Sequence, residues 1–283
     1  MNMKSLVTTE ELSRHLDDPQ WLVFDTRHDL MDLDHGREFY AEGHVPGAFF
    51  LNLDDDLSAT KNGSNGRHPL PERNLFASRM SALGVTPATR IVVYDDAGGV
   101  YAARLWWMLR WIGVENVALL DGGYPRWLAE RRSVSQEAPQ ARPAAFDWAL
   151  QPAMPAVDTE SVLKRLNDGQ SLLVDARPSD RFRGEVEPFD PVAGHIPGAV
   201  NRYFRGNLGP DGAFLQPDRL HSEFEALLQG REATDIVHLC GSGVTACHNL
   251  FAMELAGLPG SRLYAGSWSE WVADRSRPVA VGA

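Results

Sequence analysis

Cys240 and Cys247 are the two thiols of this 283-residue chain, and their surroundings differ. Cys240 follows the apolar run 236–239 and opens the stretch Cys240-Gly241-Ser242-Gly243-Val244-Thr245, which leads into a helical run at 244–256. The thiol is thereby expected at the carboxyl end of a strand, where open α/β sheets bind ligands. Two glycines let the loop curl with several backbone N–H groups turned inward. That nest and the helix N-terminus behind it stabilise a negative sulfur. A thiolate held there is nucleophilic at neutral pH. The plainer reading is a buried cysteine that merely ends a strand, and the composition of the loop speaks against it. Cys247 falls within the helical run and reads as packing.

Two reactive-cysteine chemistries suit such a loop. Phosphatases use Cys-x5-Arg, in which the arginine clamps a phosphate, but the residue six beyond Cys240 is Ala246. Sulfur transfer remains: the thiolate takes a sulfane sulfur, becomes a persulfide and hands the sulfur to a nucleophile. Backbone N–H groups alone can hold that anion.

The elements that must position Cys240 occur twice. LVFDT at 22–26 pairs with LLVDA at 172–176, and each Asp (Asp25, Asp175) is followed two residues later by Arg (Arg27, Arg177). GHVPGA at 43–48 pairs with GHIPGA at 194–199. Residues 91–105 align with 236–250, and DGGYPRW at 121–127 aligns with AGSWSEW at 265–271. Four anchors in one order mark an internal duplication. β-rich runs at 21–24, 91–94, 117–120, 172–174 and 236–239 alternate with helical runs at 100–112 and 244–256. Thr8-Thr9-Glu10-Glu11 and Asp158-Thr159-Glu160 read as helix N-caps. This predicts an α/β fold of two tandem domains, each a mostly parallel sheet flanked by helices. The domains are expected at 1–137 and 156–283, joined by a Pro- and Ala-rich linker at 138–155.

What both halves keep is most simply explained by the fold. The Asp-x-Arg pairs are expected to tie a strand end to a neighbouring loop, and Gly47 and Gly198 to relax a turn. What differs points to chemistry: Asp95 stands where the second half has Cys240.

Composition narrows the partners. Eight Trp, twelve Phe and six Tyr supply a core, and a formal charge of −11 makes nucleic acid a poor partner. No stretch reaches the length of a membrane span, and residues 1–12 lack the apolar centre of a secretory signal, so a cytoplasmic location is expected. No phosphate-binding loop or metal-ligand spacing is present, and no cofactor is expected. Asp54-Asp55-Asp56 lacks the rest of a calcium loop. Trp106, Trp107 and Trp111 have helical spacing and read as packing.

Taken together, Cys-Gly-Ser-Gly-Val-Thr at 240–245 and the paired Gly-His-x-Pro-Gly-Ala segments resemble the tandem-domain rhodanese superfamily over nearly the whole chain. The resemblance is strongest to its mercaptopyruvate sulfurtransferases. It implies a non-catalytic first domain and a catalytic second one. The implied reaction moves sulfane sulfur from 3-mercaptopyruvate, through a Cys240 persulfide, to cyanide or a thiol, thioredoxin being one such thiol. Thiosulfate-preferring members resemble Cys-Arg-Lys-Gly-Val-Thr, with two cations. The neutral Gly241 and Ser242 favour mercaptopyruvate over thiosulfate, which stays as the alternative donor. A non-catalytic sulfur carrier or interaction module is the third reading.

The family also implies a Ser–His–Asp relay. By position it falls on Ser242, His44 and Asp34, with Asp32 as the other choice of acid. Such a relay moves a proton as the C–S bond breaks. Against this, His195 repeats His44, as a turn histidine would, and 29–38 is rich in charge. Arg181 matches the family's first anion-binding arginine, with Gly241, Gly243, Val244 and Thr245 completing the substrate loop. The family's second arginine should lie shortly before the second Gly-His, yet 185–193 reads EVEPFDPVA, without Arg or Lys. Arg183, Arg202 and Arg205 are the nearby candidates to replace it.

Overall fold

The computed structural model describes residues 3–145, 148, 154–166 and 171–282. Of the expected linker, residues 146, 147 and 149–153 lie outside the described residues. The chain divides into two compact units, Met1–Ala59 with Leu70–Ala153 and Pro210–Phe214, and Thr60–Pro69 with Met154–Gly209 and Leu215–Ala283. The boundaries expected from sequence do not include this exchange of two short segments. The second unit holds ten residues, Thr60–Pro69, that come from the first half of the chain.

The first unit is built on β1 (Leu6–Val7), β2 (Trp21–Asp25), β3 (Ala48–Phe50), β4 (Arg90–Tyr94) and β5 (Val117–Leu120), in the spatial order β1-β5-β4-β2-β3. The second repeats it with β6 (Ala156–Val157), β7 (Leu172–Asp175), β8 (Val200–Asn201), β9 (Ile236–Leu239) and β10 (Arg262–Tyr264), in the order β6-β10-β9-β7-β8. All pairings between these ten strands are parallel, as between Val23 and Val92 or Val174 and His238. Strands buried on both faces read as apolar runs rather than alternating ones, and β4, β5, β7 and β9 are buried almost throughout. Each sheet thus has the form expected, and its central strand, β4 or β9, is followed directly by Asp95 or Cys240 respectively.

The α-helices among the described residues are α1 (Thr9–Ser13), α2 (His35–Glu42), α3 (Arg73–Ala82), α4 (Val100–Trp111), α5 (Gly123–Ala129), α6 (Thr159–Arg165), α7 (Ser179–Phe182), α8 (Pro217–Leu228), α9 (Thr245–Leu255) and α10 (Ser267–Trp271). The two that follow the central strands, α4 and α9, are buried on nearly every side. α4 (Val100–Trp111) buries Trp106 and Trp107 fully, as expected of packing residues. α9 (Thr245–Leu255) buries Ala246 through Met253. The predicted caps are present at α1 (Thr9–Ser13) and α6 (Thr159–Arg165): Thr8 accepts from the Glu11 N–H at 3.1 Å and Asp158 from the Ser161 N–H at 2.8 Å.

The duplicated Asp-x-Arg pairs have matching geometry. Arg27 donates to Asp25 at 2.7 Å and to the Gly43 carbonyl at 2.8 Å; Arg177 donates to Asp175 at 2.7 Å and to the Gly194 carbonyl at 2.8 Å. Each pair fastens a strand end to its Gly-His-x-Pro-Gly-Ala loop, where Gly47 and Gly198 take φ of +78° and +80°. Both carboxylates are fully buried. Removing one partner of such a pair leaves an uncompensated buried charge.

Candidate active site

Cys240 is 2% exposed and sits where β9 gives way to α9. Its Sγ accepts a hydrogen bond from the Gly243 N–H at 3.1 Å, so the loop does turn a donor onto the sulfur. Gly243 has φ +77°, and a Cβ there would meet the Ala265 carbonyl oxygen at 2.2 Å. Only glycine lets the loop close against the segment after β10.

That segment braces the cysteine. The N–H groups of Trp268 and Ser269 donate to the carbonyls of Cys240 (3.0 Å) and Gly241 (2.9 Å). Ser267 is a non-glycine residue in the left-handed region, φ +54°. Such a conformation costs of order 1–3 kcal/mol and persists where the surroundings impose it. Here its buried hydroxyl accepts from the Cys240 N–H at 3.0 Å and donates to the Tyr264 carbonyl at 2.9 Å. Cys247 lies on α9 with its Sγ donating to the Gly243 carbonyl at 3.3 Å, a packing position that also supports the loop.

Ser242 is 6% exposed, and its Oγ lies 2.8 Å from Nδ1 of His68, which is also buried. His68 belongs to the Thr60–Pro69 segment of the second unit. The expectation that His44 partners Ser242 is therefore corrected. Within the first unit, His44 has Nδ1 2.8 Å from the Tyr40 carbonyl and Nε2 3.2 Å from that of Glu137, and it stacks on Tyr40. His195 repeats this in the second unit, with Nδ1 2.8 Å from the Phe182 carbonyl and its ring stacked on Phe182. Both are fold histidines that lock a turn against a helix. Asp34 is corrected with His44. It is exposed at the start of α2 (His35–Glu42) and makes no side-chain cap, and among the described residues no carboxylate bonds the His44 ring. The Asp32 carboxylate accepts from the Asp34 N–H at 3.2 Å. His68 had a signal in the sequence: it stands in the turn-rich stretch Asn65-Gly66-Arg67-His68-Pro69, and the equivalent turn of the second half, Asp211-Gly212-Ala213-Phe214-Leu215, carries neither the arginine nor the histidine.

Arg181, at the end of the short helix α7 (Ser179–Phe182), does lie against the loop. Its guanidinium comes within 3.5 Å of where a Cβ on Gly241 would stand. Its Nη2 donates to Glu187 at 2.6 Å, and Nε is buried without a hydrogen-bond partner among the described residues. Glu187 also accepts from Arg177 at 3.3 Å. The acidic stretch before the second Gly-His is thus a scaffold for cations. A second one is present: Arg67 donates to both oxygens of Asp190, at 3.2 and 3.1 Å. Burial pushes the Asp190 carboxyl above its ordinary value, with Arg67 pulling the other way. The three replacements expected from sequence are occupied elsewhere or lack a contact here. Arg183 pairs with Glu185 and Arg202 with Glu223, while Arg205 lies in the 3-10 turn Phe204–Asn207 and is exposed.

The matching loop of the first unit is filled by its own side chain. Asp95 accepts four backbone N–H bonds, from Ala97 (2.9 Å), Gly99 (2.8 Å), Tyr101 (2.8 Å) and Ala102 (2.9 Å). The same nest that faces a sulfur in one unit is satisfied by a fixed carboxylate in the other.

Val244 and Thr245 complete the loop and begin α9; Val244 is buried and makes no side-chain cap. No helix among the described residues is long and apolar enough to cross a membrane.

The rhodanese-like domain profile matches residues 8–130 and 158–274. A Pseudomonas aeruginosa protein named "Probable 3-mercaptopyruvate sulfurtransferase" is 48% identical over 284 residues, all of both chains. The thiosulfate sulfurtransferase of Bos taurus is 37% identical over 240 residues, 83% of this chain and 79% of its own. The crystal structure of SseA from Escherichia coli, a 3-mercaptopyruvate sulfotransferase by its description, superposes with a TM-score of 0.80 at 33% identity, covering 94% of this chain and 99% of SseA. With one rhodanese-like domain in each half and full-length relatives of this similarity, the chain belongs to the rhodanese-like family.

Proposed function

We propose that this chain is a 3-mercaptopyruvate sulfurtransferase with Cys240 as its nucleophile. The observation that carries the donor assignment is the 2.8 Å contact between Ser242 and His68, two residues along from the cysteine. Thiosulfate can release sulfite without proton transfer, whereas pyruvate leaves as an enolate that must be protonated. A serine hydroxyl backed by an imidazole serves the second need.

In the first half-reaction the Cys240 thiolate attacks the donor's sulfur. An S–S bond forms, the C–S bond breaks, and its electron pair goes to the methylene carbon of the departing enolate. One proton taken up there completes pyruvate and leaves the Cys240 persulfide. The Gly243 N–H and the other donors of the loop hold the sulfur's charge. In the second half-reaction a thiol or cyanide takes the outer sulfur and releases the thiolate, which gives ping-pong kinetics. Arg181 binds the donor's carboxylate as a charge-assisted hydrogen-bond donor. The first unit, with Asp95 in the corresponding loop, contributes no nucleophile, and the cytoplasm, with its pool of thiols, is the proposed location.

Steady-state kinetics on the two donors test this. The expected result is kcat/KM for mercaptopyruvate exceeding that for thiosulfate, with pyruvate formed in step with acceptor sulfuration. A preference for thiosulfate would instead make the chain a thiosulfate sulfurtransferase. Pyruvate formation that survives Cys240→Ser would remove the nucleophile assignment.

A further inference from the structure

Arg67 has no counterpart in the expectation from sequence, yet it lies beside the reactive loop. Its Nη2 comes within 2.7 Å of where a Cβ on Gly241 would stand, and Arg181 approaches the same spot at 3.5 Å. Both guanidinium groups pack on one ring: Arg67 is 5.1 Å and Arg181 5.0 Å from the centre of Phe189. Phe189 lies in the stretch where the second arginine was expected. Asp190 and Glu187 hold the two cations, and Nη1 of each guanidinium takes no part in those bonds. The Arg67 backbone is fixed as well, its N–H donating to Ser269 Oγ at 3.0 Å. Gly66 before it has φ +83°, and a Cβ there would meet the Gly266 carbonyl at 2.9 Å.

We propose that Arg67 is the second carboxylate-binding residue of the donor site, a specificity determinant that enters the loop because residue 241 has no side chain. This assignment rests on the mercaptopyruvate reading above. It explains a pairing of sequence features: a glycine directly after the cysteine, and an arginine brought in from a different part of the chain. A side chain at 241 and the guanidinium of Arg67 compete for one space. A second guanidinium next to Arg181 offers a carboxylate two charge-assisted bonds instead of one.

The test measures KM and kcat for mercaptopyruvate in the full chain. Arg67→Ala is expected to raise KM about 10- to 100-fold, the range for one hydrogen bond to a charged group, with kcat changed much less. Misfolding would lower the apparent kcat through loss of active enzyme and leave KM alone, so the split distinguishes the two. Gly241→Ala should raise KM in the same way by displacing the Arg67 guanidinium, and should add little in the Arg67→Ala background. Supplying the cation from position 189 instead, in Arg67→Ala/Phe189→Arg, should recover most of the lost affinity. If wild type does not use mercaptopyruvate, the donor reading falls and this assignment with it. If wild type uses it and Arg67→Ala keeps the wild-type KM, the assignment alone is wrong. A raised KM that Phe189→Arg does not recover would likewise overturn it, leaving Arg67 as a support for Asp190.

Discussion

His68 and His44 show how the same side chain takes different work from its neighbours. His44 spends both ring nitrogens near backbone carbonyls and stacks on Tyr40, whereas His68 places Nδ1 on the Ser242 hydroxyl. His68→Ala is expected to lower kcat for mercaptopyruvate by about 10²- to 10⁴-fold, the usual contribution of a positioned proton carrier. His44→Ala should instead lower the unfolding midpoint and leave kcat per folded molecule within a few-fold. Stopped-flow pyruvate release and thermal unfolding on both variants check this, and a reversed pattern would return the role to His44. Cys240 was legible from sequence because strand, glycine loop and helix are contiguous there. The pairing of His68 with Ser242 was not, because the two residues are 174 apart and no local pattern encodes that contact, although the turn around His68 marked the residue itself. The duplication held the warning: a histidine kept in both halves, at His44 and His195, is explained by the turn that both halves share.

The strands and the two buried helices follow from apolar runs that need no long-range information. The caps at Thr8 and Asp158 follow from side chains acting on N–H groups three residues away. The braces of the active loop are different. Ser267 adopts a left-handed conformation that its residue type disfavours, because its hydroxyl is held between Cys240 and Tyr264. β9 carries another unusual group. His238, two residues before Cys240, is fully buried, with Nε2 3.1 Å from the Met253 sulfur and Nδ1 without a partner among the described residues. Burial pushes its imidazole down to about 3 from 6.5. The folded state therefore holds His238 neutral while the unfolded chain protonates it below about pH 6.5. Its contribution to stability is present above that pH and is lost as pH falls from there toward 3. Linkage gives a loss of about 2 kcal/mol between pH 7 and pH 5. Denaturant unfolding at the two pH values should show a loss of stability that is smaller in His238→Leu than in wild type by about that amount. Equal pH dependence in both proteins would mean that His238 is not held neutral by the fold.

At the scale of the whole molecule, one sheet topology is used twice with two fates. The buried Asp-Arg pairs, the stacked histidines and the turn glycines recur with nearly the same distances, which is why the duplication was readable without a structure. The two loops after the central strands diverge. Asp95 fills its nest with four N–H bonds and leaves the first unit no place for a sulfur anion. Cys240 leaves its nest facing a sulfur that can be extended by one atom. What sequence order concealed is the exchange of short segments: Thr60–Pro69, with Arg67 and His68, belongs to the second unit. A cut at the linker keeps both residues with the first half of the chain, although they pack with the second unit.

Passage of sulfur through Cys240 is read out by intact-mass spectrometry of the full chain after brief incubation with mercaptopyruvate and removal of the donor. The expected result is a gain of one sulfur atom per chain, located by peptide mapping on Cys240, absent in Cys240→Ser, retained in Cys247→Ser, and lost on adding cyanide. A sulfur mapped to Cys247, or turnover of mercaptopyruvate with no sulfur ever held on the protein, would contradict it.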